Sequence, residues 1–512
     1  MSATTTSRSK RVAKNTLILY IRLCVLMLIS LFTTRVTLNA LGVDDYGIYN
    51  VVGGLVTLFS LFSGSMTAAT SRFISYSLGT GNQKDLGKVF STTINIHALL
   101  ALGLVVAIEI AGGWFLENKM IITPGRMDAA KWVLQCSIIS FAIGIMFLPY
   151  NACIVAHEHM SAFAYMTIID GISKLVLASA VYFYGGDKLI LYSTLALLFS
   201  CIVQLLYRRY CKKHFQECRY KFVWDKSLNK KIFSFSGWNF IGAASGVLKD
   251  HGVNILINLF CGTAVNAARS IAMQVNSVVS QFVQNFMMAL NPQITKSFAG
   301  GDRDYTMQLV FLGSRFSFYL LLLLSLPILM EADILLRTWL GIIPMHTISF
   351  VRLILIYNLI ESLSYTMVTL MLANGKIRNY QLVVGGCQML NFPLCYIFLY
   401  LGYSPEVTLI ISIVVAVMCM ILRLIMLKKM VAFPISSFIR KVLFNVCKVL
   451  VVAAILPTLL TLMMDDGWVR LLLGSFLCIV SVIVSVWFIG CTKTERGYLL
   501  QLLKNKFCHA KR

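Results

Sequence analysis

The chain is built from apolar runs of roughly 20 residues, separated by short stretches that contain charged residues, glycine or proline. Wound as an α-helix, one such run spans the ~30 Å hydrocarbon core of a bilayer. With 58% hydrophobic and 13% charged residues, the chain as a whole is too apolar for a soluble globular protein. We predict an all-α polytopic membrane protein with about fourteen transmembrane helices. The predicted spans are 15–40, 48–77, 89–113, 130–155, 161–184, 188–207, 232–259, 265–290, 307–330, 347–373, 380–401, 405–427, 440–464 and 468–490.

Basic residues are concentrated in every second loop between these spans. They are dense near the N-terminus, in residues 208–231 and in the C-terminal tail 491–512. The positive-inside rule predicts that these loops and both termini are cytoplasmic. The first apolar run contains Arg22 and Arg35 and no small-residue cleavage site follows it, which favours an uncleaved span over a signal peptide. The net charge of +24 does not indicate a nucleic-acid partner, because the basic loop 208–231 is too short to fold as a reader domain.

The sequence repeats itself after about 220 residues. "LNALGVDDYGIYN" aligns with "INLFCGTAVNAARS", which sets Gly42 over Gly262, and "SRFISYSLGTGNQKDLGKVF" aligns with "PQITKSFAGGDRDYTMQLVF", which sets Gly81 over Gly301. Because six spans is an even number, the repeat predicts two six-helix lobes of the same orientation, with two extra helices at the C-terminus. The predicted parts are an N-terminal cytoplasmic tail 1–14, an N-lobe 15–207, a cytoplasmic linker 208–231, a C-lobe 232–427, a helix pair 428–490 and a cytoplasmic tail 491–512.

Two predicted spans carry polar residues at alternating spacings of three and four, which places each set on one helix face. In the second span the set is Asn50, Gly53, Thr57, Ser60, Gly64, Thr67 and Ser71. In the eighth span it is Ser270, Met273, Ser277, Ser280, Gln284, Met287 and Asn291, with Gln274 and Gln281 beside it. Small residues at this spacing also allow membrane helices to pack closely, so the first set fits either role. Glutamines are bulky and need polar partners, so the second set indicates a surface that meets water.

Charged residues at membrane depth determine whether the candidate binding site is basic or acidic. An isolated charge in hydrocarbon is costly, so such residues should face the bundle interior, form pairs or extend to an interface. Asp170 and Lys174 can pair at i, i+4, and Arg269 lies near a span end, where it could extend to the interface. A basic interior that water can reach would suit a phosphate or pyrophosphate group. The candidate substrate-binding residues are Arg22, Arg35, Lys249, Asp250, Arg269, Arg315, Gln281 and Gln284.

Two sequences could have suggested a metal site, and we predict that neither binds one. The alternation of His157, Glu158 and His159 does not match the i, i+4 spacing of a helical zinc pair, and the repeat sets this stretch over "ANGKIRNY", which contains neither residue type. "CKKHFQEC" places Cys211 and Cys218 near each other, but no second half of a zinc motif follows. We expect a turn at the first stretch, no metal and no cofactor.

The whole chain resembles the polysaccharide-flippase branch of the multidrug/oligosaccharidyl-lipid/polysaccharide exporter superfamily. The resemblance lies in the order of "LGVDDYGIYNVVGG", "SRFISYSLGTGNQKDLGKVF" and "PYNACIVAHEHMSAFAY" within fourteen spans arranged as two six-span lobes. It implies a central cavity lined by the first, second, seventh and eighth spans, and alternating access. It also implies export of undecaprenyl-pyrophosphate-linked oligosaccharide units across a bacterial inner membrane for O-antigen or capsule assembly, with membrane lipid and other polysaccharide-assembly proteins as partners.

Two other functions compete with this interpretation. A multidrug or cation antiporter of the same superfamily would need carboxylates in the cavity, and Asp250 is the main candidate. A membrane-embedded polysaccharide polymerase or ligase would be expected to carry a large outer loop, whereas the longest outer segments here are short. No P-loop for ATP is visible, so we expect a transporter without enzymatic activity, and coupling to a proton or sodium gradient stays open.

Overall fold

The computed structural model describes residues 2–81, 83–118, 122, 125–247, 249, 252–340, 343–465, 467–492 and 495–497. Throughout this part of the chain the regular structure is helical. In chain order the helices are α1 Ser2–Leu58, α2 Ser60–Thr80, α3 Gln83–Asn118, α4 Met127–Ala156, α5 Met160–Tyr182, α6 Lys188–His214, α7 Lys226–Val247, α8 Val253–Ala299, α9 Arg303–Met330, α10 Ala332–Leu340, α11 Thr347–Ser362, α12 Tyr365–Asn374, α13 Arg378–Tyr400, α14 Val407–Val431, α15 Ile435–Met463 and α16 Trp468–Gly490.

Most of these helices match predicted spans. Among the described residues, nine helices are long and apolar enough to cross a membrane, and α11 with α12 forms a tenth span that is bent by 41°. The other predicted spans lie in α1, α2, α7 and α8, where polar residues interrupt the apolar runs. The structure thus confirms the polytopic all-α class, and about fourteen spans fit the observed helices.

The repeat is visible in the backbone. Both α1 and α8 are long helices broken at a glycine, and the two breaks have nearly the same geometry: φ 80° and ψ 173° at Gly42, and φ 83° and ψ 179° at Gly262. The glycines that follow the second helix of each repeat, Gly81 and Gly301, also match, with φ of 75° and 77°. Such φ values favour glycine because a Cβ atom disfavours them. The alignment of Gly42 with Gly262 is therefore structurally correct.

A side-chain contact is repeated at the same offset. In the N-terminal half, Arg126 and Asp187 precede α4 and α6, and Arg126 Nη1 lies 2.7 Å from Asp187 Oδ2. In the C-terminal half, His346 and Glu406 precede α11 and α14, and His346 Nδ1 lies 2.6 Å from Glu406 Oε1. The offsets are 346 − 126 = 220 and 406 − 187 = 219. In each half, a contact therefore links the N-terminal ends of two corresponding helices. The N-terminal half uses arginine and aspartate, and the C-terminal half uses histidine and glutamate.

The His346–Glu406 contact predicts a pH-dependent stability. Burial raises the pKa of Glu406, but hydrogen bonds to the carboxylate from His346, the backbone and Ser404, together with the charge of His346, hold that pKa below its usual range. A depressed carboxyl pKa contributes stability above the unfolded value of ~4.3, and this contribution is lost as the pH falls through the folded value. We expect His346→Asn, which tolerates the left-handed backbone at this position (φ 70°), to raise the pKa of Glu406. The variant should therefore melt below the wild type at neutral pH, and this difference should shrink as the pH falls below ~4.3.

The measurement is the melting temperature of the detergent-solubilised protein across the acidic range. His214→Asn is the matched control, because His214 is exposed and its imidazole contacts a backbone carbonyl, that of Tyr210. An unchanged acid profile for His346→Asn would contradict the role of this contact.

The helices form two compact units. The first, here called the N-lobe, is Lys14–Phe240, and the second, the C-lobe, comprises Ile241–Arg512 together with Met1–Ala13. The division falls within α7, and the irregular segment between α6 and α7 is limited to residues 215–225, so the sequence-based linker 208–231 overlaps the ends of both helices. In the N-lobe core, Val52, Ile108 and Val133 pack together from α1, α3 and α4.

The C-terminal helix pair α15–α16 is attached to α9 by two buried arginine–glutamate contacts. Arg315 of α9 donates a 2.9 Å hydrogen bond to the carbonyl of Gly490 and forms an ion pair with Glu495. Immediately after the C-terminal end of α9, Oε1 of Glu331 lies 3.2 Å from the Nε of Arg470 in α16, and the side chain of Glu331 is fully buried. Because buried charges need partners, these contacts fix both ends of the helix pair against α9.

Candidate functional site

The second half of α8 presents an exposed polar surface, here called the polar face of α8. It consists of Ser270, Gln274, Ser277, Gln281 and Gln284. Their spacing of four, three, four and three places them along one side of the helix, where Val278 is the apolar neighbour. Primary amides in contact with hydrocarbon would lose hydrogen bonds to water at considerable cost. This surface is therefore suited to water or to a polar ligand.

The polar face of α8 is rotated relative to the face that the sequence predicts. Ser280 and Met287 belong to the predicted face, but both are buried. Ser280 accepts a 3.1 Å hydrogen bond from Asn358 of α11 and donates one of 3.3 Å to Asn276. Sequence spacing alone could not separate the two faces, because they overlap and share residues such as Gln284. Gln281 and Gln284, two of the predicted site residues, do lie together on the exposed side.

Lys249, at the junction of α7 and α8, is held by an aromatic residue of α11. Its Nζ donates a 2.6 Å hydrogen bond to the hydroxyl of Tyr357 and lies 4.4 Å from the centroid of the same ring. A tyrosine contacting an ammonium in both ways fixes its position without neutralising its charge. Lys249 therefore keeps a positive charge at a defined point of the C-lobe. The neighbouring candidate Asp250 lies outside the described residues.

Arg22 is a half-buried cation in α1 of the N-lobe. Its guanidinium carbon lies 4.9 Å from the ring centroid of Phe163 in α5. Within the described part of the chain, its Nε and Nη1 are buried and have no hydrogen-bond partner. The stacked arginine thus has N–H donors available for an anionic group. The side chain of Arg35, predicted beside it in the first span, lies outside the described residues.

The other two predicted cations are engaged in packing inside the C-lobe. Arg269 is only 3% exposed and its Nη1 lies 3.4 Å from the hydroxyl oxygen of Thr408 in α14. Arg315 is bound by Gly490 and Glu495, as described above. Both guanidinium groups therefore contact neighbouring helices of the lobe. The structure does not bring them onto the polar face of α8.

The N-lobe contains a cavity of about 550 Å³ between α1, α4 and α6. Its polar lining comes mainly from serines, and none of the residues that line it is acidic or basic. These residues are Tyr49, Gly53, Val56, Cys136, Ser137, Ser140, Phe141, Ser193, Ala196 and Leu197. A site that selects organic cations would be expected to supply a carboxylate, so this cavity does not favour cation binding.

Two buried or stacked arginines were missed by sequence reasoning. Arg423 of α14 is 2% exposed and its Nη2 lies 3.2 Å from Oε1 of Glu361 in α11. Arg72 of α2 lies over the rings of Phe73 and Tyr76, at 4.6 and 4.8 Å from their centroids. In the sequence, each of them is a single arginine within or beside an apolar run. Such an arginine looks the same as the basic residues that flank a span, so its burial could not be predicted.

Comparisons with known proteins agree with this architecture. A family model described as "Polysaccharide biosynthesis protein" matches residues 12–298. None of the curated proteins compared with the chain matches its sequence. Solved structures of similar fold include an outward-facing MATE family multidrug resistance transporter of the MOP superfamily, with TM-score 0.72 and 11% identity, covering 84% of this chain and 99% of that one.

Two further structures come from named organisms. A MOP superfamily transporter from Pyrococcus furiosus, reported to have a binding pocket of reversed polarity, has TM-score 0.68 and 12% identity, covering 84% of this chain and 96% of that one. A mutant MATE transporter from Vibrio cholerae has TM-score 0.66 and 16% identity, covering 83% and 98%. At these identities the similarity establishes the fold, and the family model covers more than half of the sequence. The chain therefore belongs to the polysaccharide biosynthesis protein family, and its fold is that of MOP superfamily transporters.

Proposed function

We propose that this transporter moves oligosaccharide units linked to undecaprenyl pyrophosphate across a bacterial inner membrane, for assembly of a surface polysaccharide such as O-antigen or capsule. The family supports a role in polysaccharide biosynthesis, and the fold supports transport. In this proposal both termini are cytoplasmic, as the distribution of basic residues favours. The transport mechanism is alternating access, in which the lipid chain stays in the bilayer while the polar head crosses it.

The polar face of α8 is the observation that carries the proposal. An oligosaccharide presents many hydroxyl groups that both donate and accept hydrogen bonds. Serine hydroxyls and glutamine amides do the same, and the polar face contains only these two residue types apart from Val278. A surface of this composition matches a sugar better than it matches an organic cation, for which a carboxylate would be expected.

The pyrophosphate would be recognised by the separate cationic residues. Lys249 carries a charge fixed by Tyr357, and Arg22 has two buried N–H groups without a partner in the described residues. Charge-assisted hydrogen bonds from such groups to phosphate oxygens are stronger than hydrogen bonds between neutral groups. We propose that Lys249 in the C-lobe contacts the pyrophosphate during transport, and that Arg22 offers a separate anion-binding group within the N-lobe. Arg269 and Arg315, which are engaged in packing, are assigned a structural role.

Replacing the glutamines tests the role of the polar face of α8. We expect the double variant Gln281→Leu/Gln284→Leu to insert normally, because leucine suits a membrane helix, but to transport lipid-linked oligosaccharide roughly thirtyfold more slowly. The estimate assumes two lost hydrogen bonds of about 1 kcal/mol each. The measurement is transbilayer movement of a defined lipid-linked oligosaccharide in reconstituted vesicles, with and without an imposed proton or sodium gradient, which also identifies the coupling ion.

Val278→Leu is the matched control, because it introduces leucine on the same side of α8 at a position that is already apolar. Its transport rate should equal that of the wild type. Wild-type transport by the double variant would contradict the assignment of the polar face. Transport of a cationic dye by the wild type, with no movement of the oligosaccharide, would instead indicate an ion-coupled antiporter.

A further inference from the structure

The strongest unassigned feature is a cluster of metal-binding side chains in the N-lobe. It joins two segments that are far apart in the sequence. Cys153 lies in the last turn of α4, and His157 immediately follows that helix. Cys211 lies in the last turns of α6, and Glu217 and Cys218 belong to the short turn Gln216–Cys218 that follows. The half-motif in "CKKHFQEC" thus meets a second half, supplied by the stretch "CIVAHEH".

The donor atoms of the cluster are close together. The Sγ atoms of Cys153 and Cys218 are 3.5 Å apart, and Cys153 Sγ lies 3.7 Å from Glu217 Oε1. His157 Nε2 contacts the same carboxylate oxygen. The ligand atoms of Cys153, His157 and Glu217 all lie within 4.8 Å of one another. Three donors from two segments therefore lie within reach of a single ion, and the sulfur of Cys218 lies next to that of Cys153.

The surrounding structure holds these donors in place. The imidazole of His157 is stacked on the ring of Phe215, with 4.1 Å between centroids and 16° between planes. Glu158, the next residue, has φ 62°, which turns the chain sharply after α4, and its carbonyl accepts a 3.2 Å hydrogen bond from Asn15 of α1. The hydroxyl of Tyr220 donates a 2.7 Å hydrogen bond to Asn95 of α3, which fixes the chain beyond Cys218.

We propose that Cys153, His157, Glu217 and Cys218 bind one Zn²⁺ ion, or a divalent ion of similar ligand preference. Two thiolates, an imidazole and a carboxylate are ligand types that zinc accepts in tetrahedral sites. With a Zn–S bond of about 2.3 Å, two sulfur ligands in a tetrahedral site lie about 3.8 Å apart. The observed separation of 3.5 Å between the two sulfurs is close to this value.

The chemistry of the thiols agrees with this assignment. Cys153, Cys211 and Cys218 are all completely buried, so a thiolate there would need a cation for compensation. Zinc binds the thiolate form and releases protons when it binds. The thiol of Cys211 donates a 3.3 Å hydrogen bond to the carbonyl of Tyr150, which joins the end of α6 to α4.

A bound metal would connect three parts of the N-lobe: the end of α4, the turn before α5 and the start of the segment that leads to α7. Because Cys153 and Cys218 are 65 residues apart in the sequence, one ion would close a long loop, and such closure stabilises a fold. The site would fix the point from which the chain leaves the N-lobe. This inference does not depend on which substrate the transporter moves.

The test uses full-length protein purified without a polyhistidine tag, in the presence of a reducing agent that does not bind metal. After treatment with a chelator, Zn²⁺ is added, excess ion is removed, and bound zinc is counted by elemental mass spectrometry. We expect one Zn²⁺ per wild-type chain, and a much lower content in Cys153→Ser and Cys218→Ser. The matched controls are Cys201→Ser and His214→Ala, which lie in α6 outside the cluster and should retain one Zn²⁺.

A second measurement requires no variant. Co²⁺ added to the wild-type protein should produce the near-ultraviolet charge-transfer absorption of a cobalt–thiolate bond, and Zn²⁺ should abolish it. No bound zinc and no such absorption in folded wild-type protein would overturn the proposal. So would a mass two hydrogens lighter with Cys153 and Cys218 joined as a disulfide, or equal zinc contents in the cluster variants and the controls.

Discussion

A Glu361→Gln variant is expected to be about 3–5 kcal/mol less stable than the wild type, the range for removing one partner of a buried ion pair. The physical reason is that Arg423 would keep its charge in a site that excludes water. Its guanidinium is 2% exposed, and Glu361 Oε1 is the carboxylate oxygen 3.2 Å from its Nη2. Within the described residues, Nε and Nη1 of Arg423 are buried without a hydrogen-bond partner. The loss can be measured as a fall in the unfolding midpoint of the protein in detergent.

Two further variants separate this effect from a general sensitivity to mutation. Asp170→Asn removes the partner of Lys174 from an exposed pair, with 40% and 63% of the side chains accessible, and should cost less than about 1 kcal/mol. The double replacement Glu361→Leu/Arg423→Met removes both charges and should recover most of the stability, because apolar residues can replace a buried pair. Equal losses in Glu361→Gln and Asp170→Asn would contradict the importance of the buried pair.

Replacing either glycine at which α1 or α8 is broken is expected to produce the second largest loss of stability. Gly42→Ala and Gly262→Ala should each destabilise the protein by about 1–3 kcal/mol, because φ near 80° with ψ near 175° is a region open essentially to glycine alone. No atom lies within 4 Å of a Cβ built at either position, so the expected cost comes from the backbone and not from a clash. Thermal unfolding in detergent measures it.

The control for the glycine variants is Gly103→Ala. Gly103 lies in the interior of α3 with helical backbone geometry, and an added Cβ there also meets no atom within 4 Å. Alanine is favoured over glycine in a helix by roughly 0.5–1 kcal/mol, so this variant should be as stable as the wild type or slightly more so. A Gly262→Ala variant with wild-type stability would mean that the break at Gly262 is not required by the fold.

The sequence sufficed for features that depend on local pattern. The apolar runs located most helices because a bilayer demands a minimum length of apolar helix. The repeat set Gly42 over Gly262, and the structure shows the same break in the helix at both positions, with a backbone that residues other than glycine disfavour. Gln281 and Gln284 were correctly grouped on one side of α8, since helical spacing alone places them together.

Features that depend on which helices touch were beyond the sequence. Glu361 lies within a predicted span, but its partner Arg423 lies 423 − 361 = 62 positions later, on a helix whose orientation only packing decides. Packing of α8 against α11 likewise buries Ser280 against Asn358, which the sequence alone could not show. Because this side of α8 is buried, its exposed face differs from the predicted one. The meeting of His157 with Glu217 requires α4 and α6 to lie side by side, so a short motif search could not detect it.

The attachment of α15 and α16 to α9 limits how the length of this protein can change in evolution. If the chain ended after α14, Arg315 would lose Gly490 and Glu495, and Glu331 would lose Arg470. A buried cation and a buried anion would then remain, each lacking its counter-charge, in a lobe otherwise able to form. A descendant of this sequence with about twelve membrane spans, lacking α15 and α16, would first need neutral residues at positions 315 and 331. Evolution should therefore retain α15 and α16 together with α9. Arg315 and Glu331, which lie outside the last two helices, indicate that these helices are present.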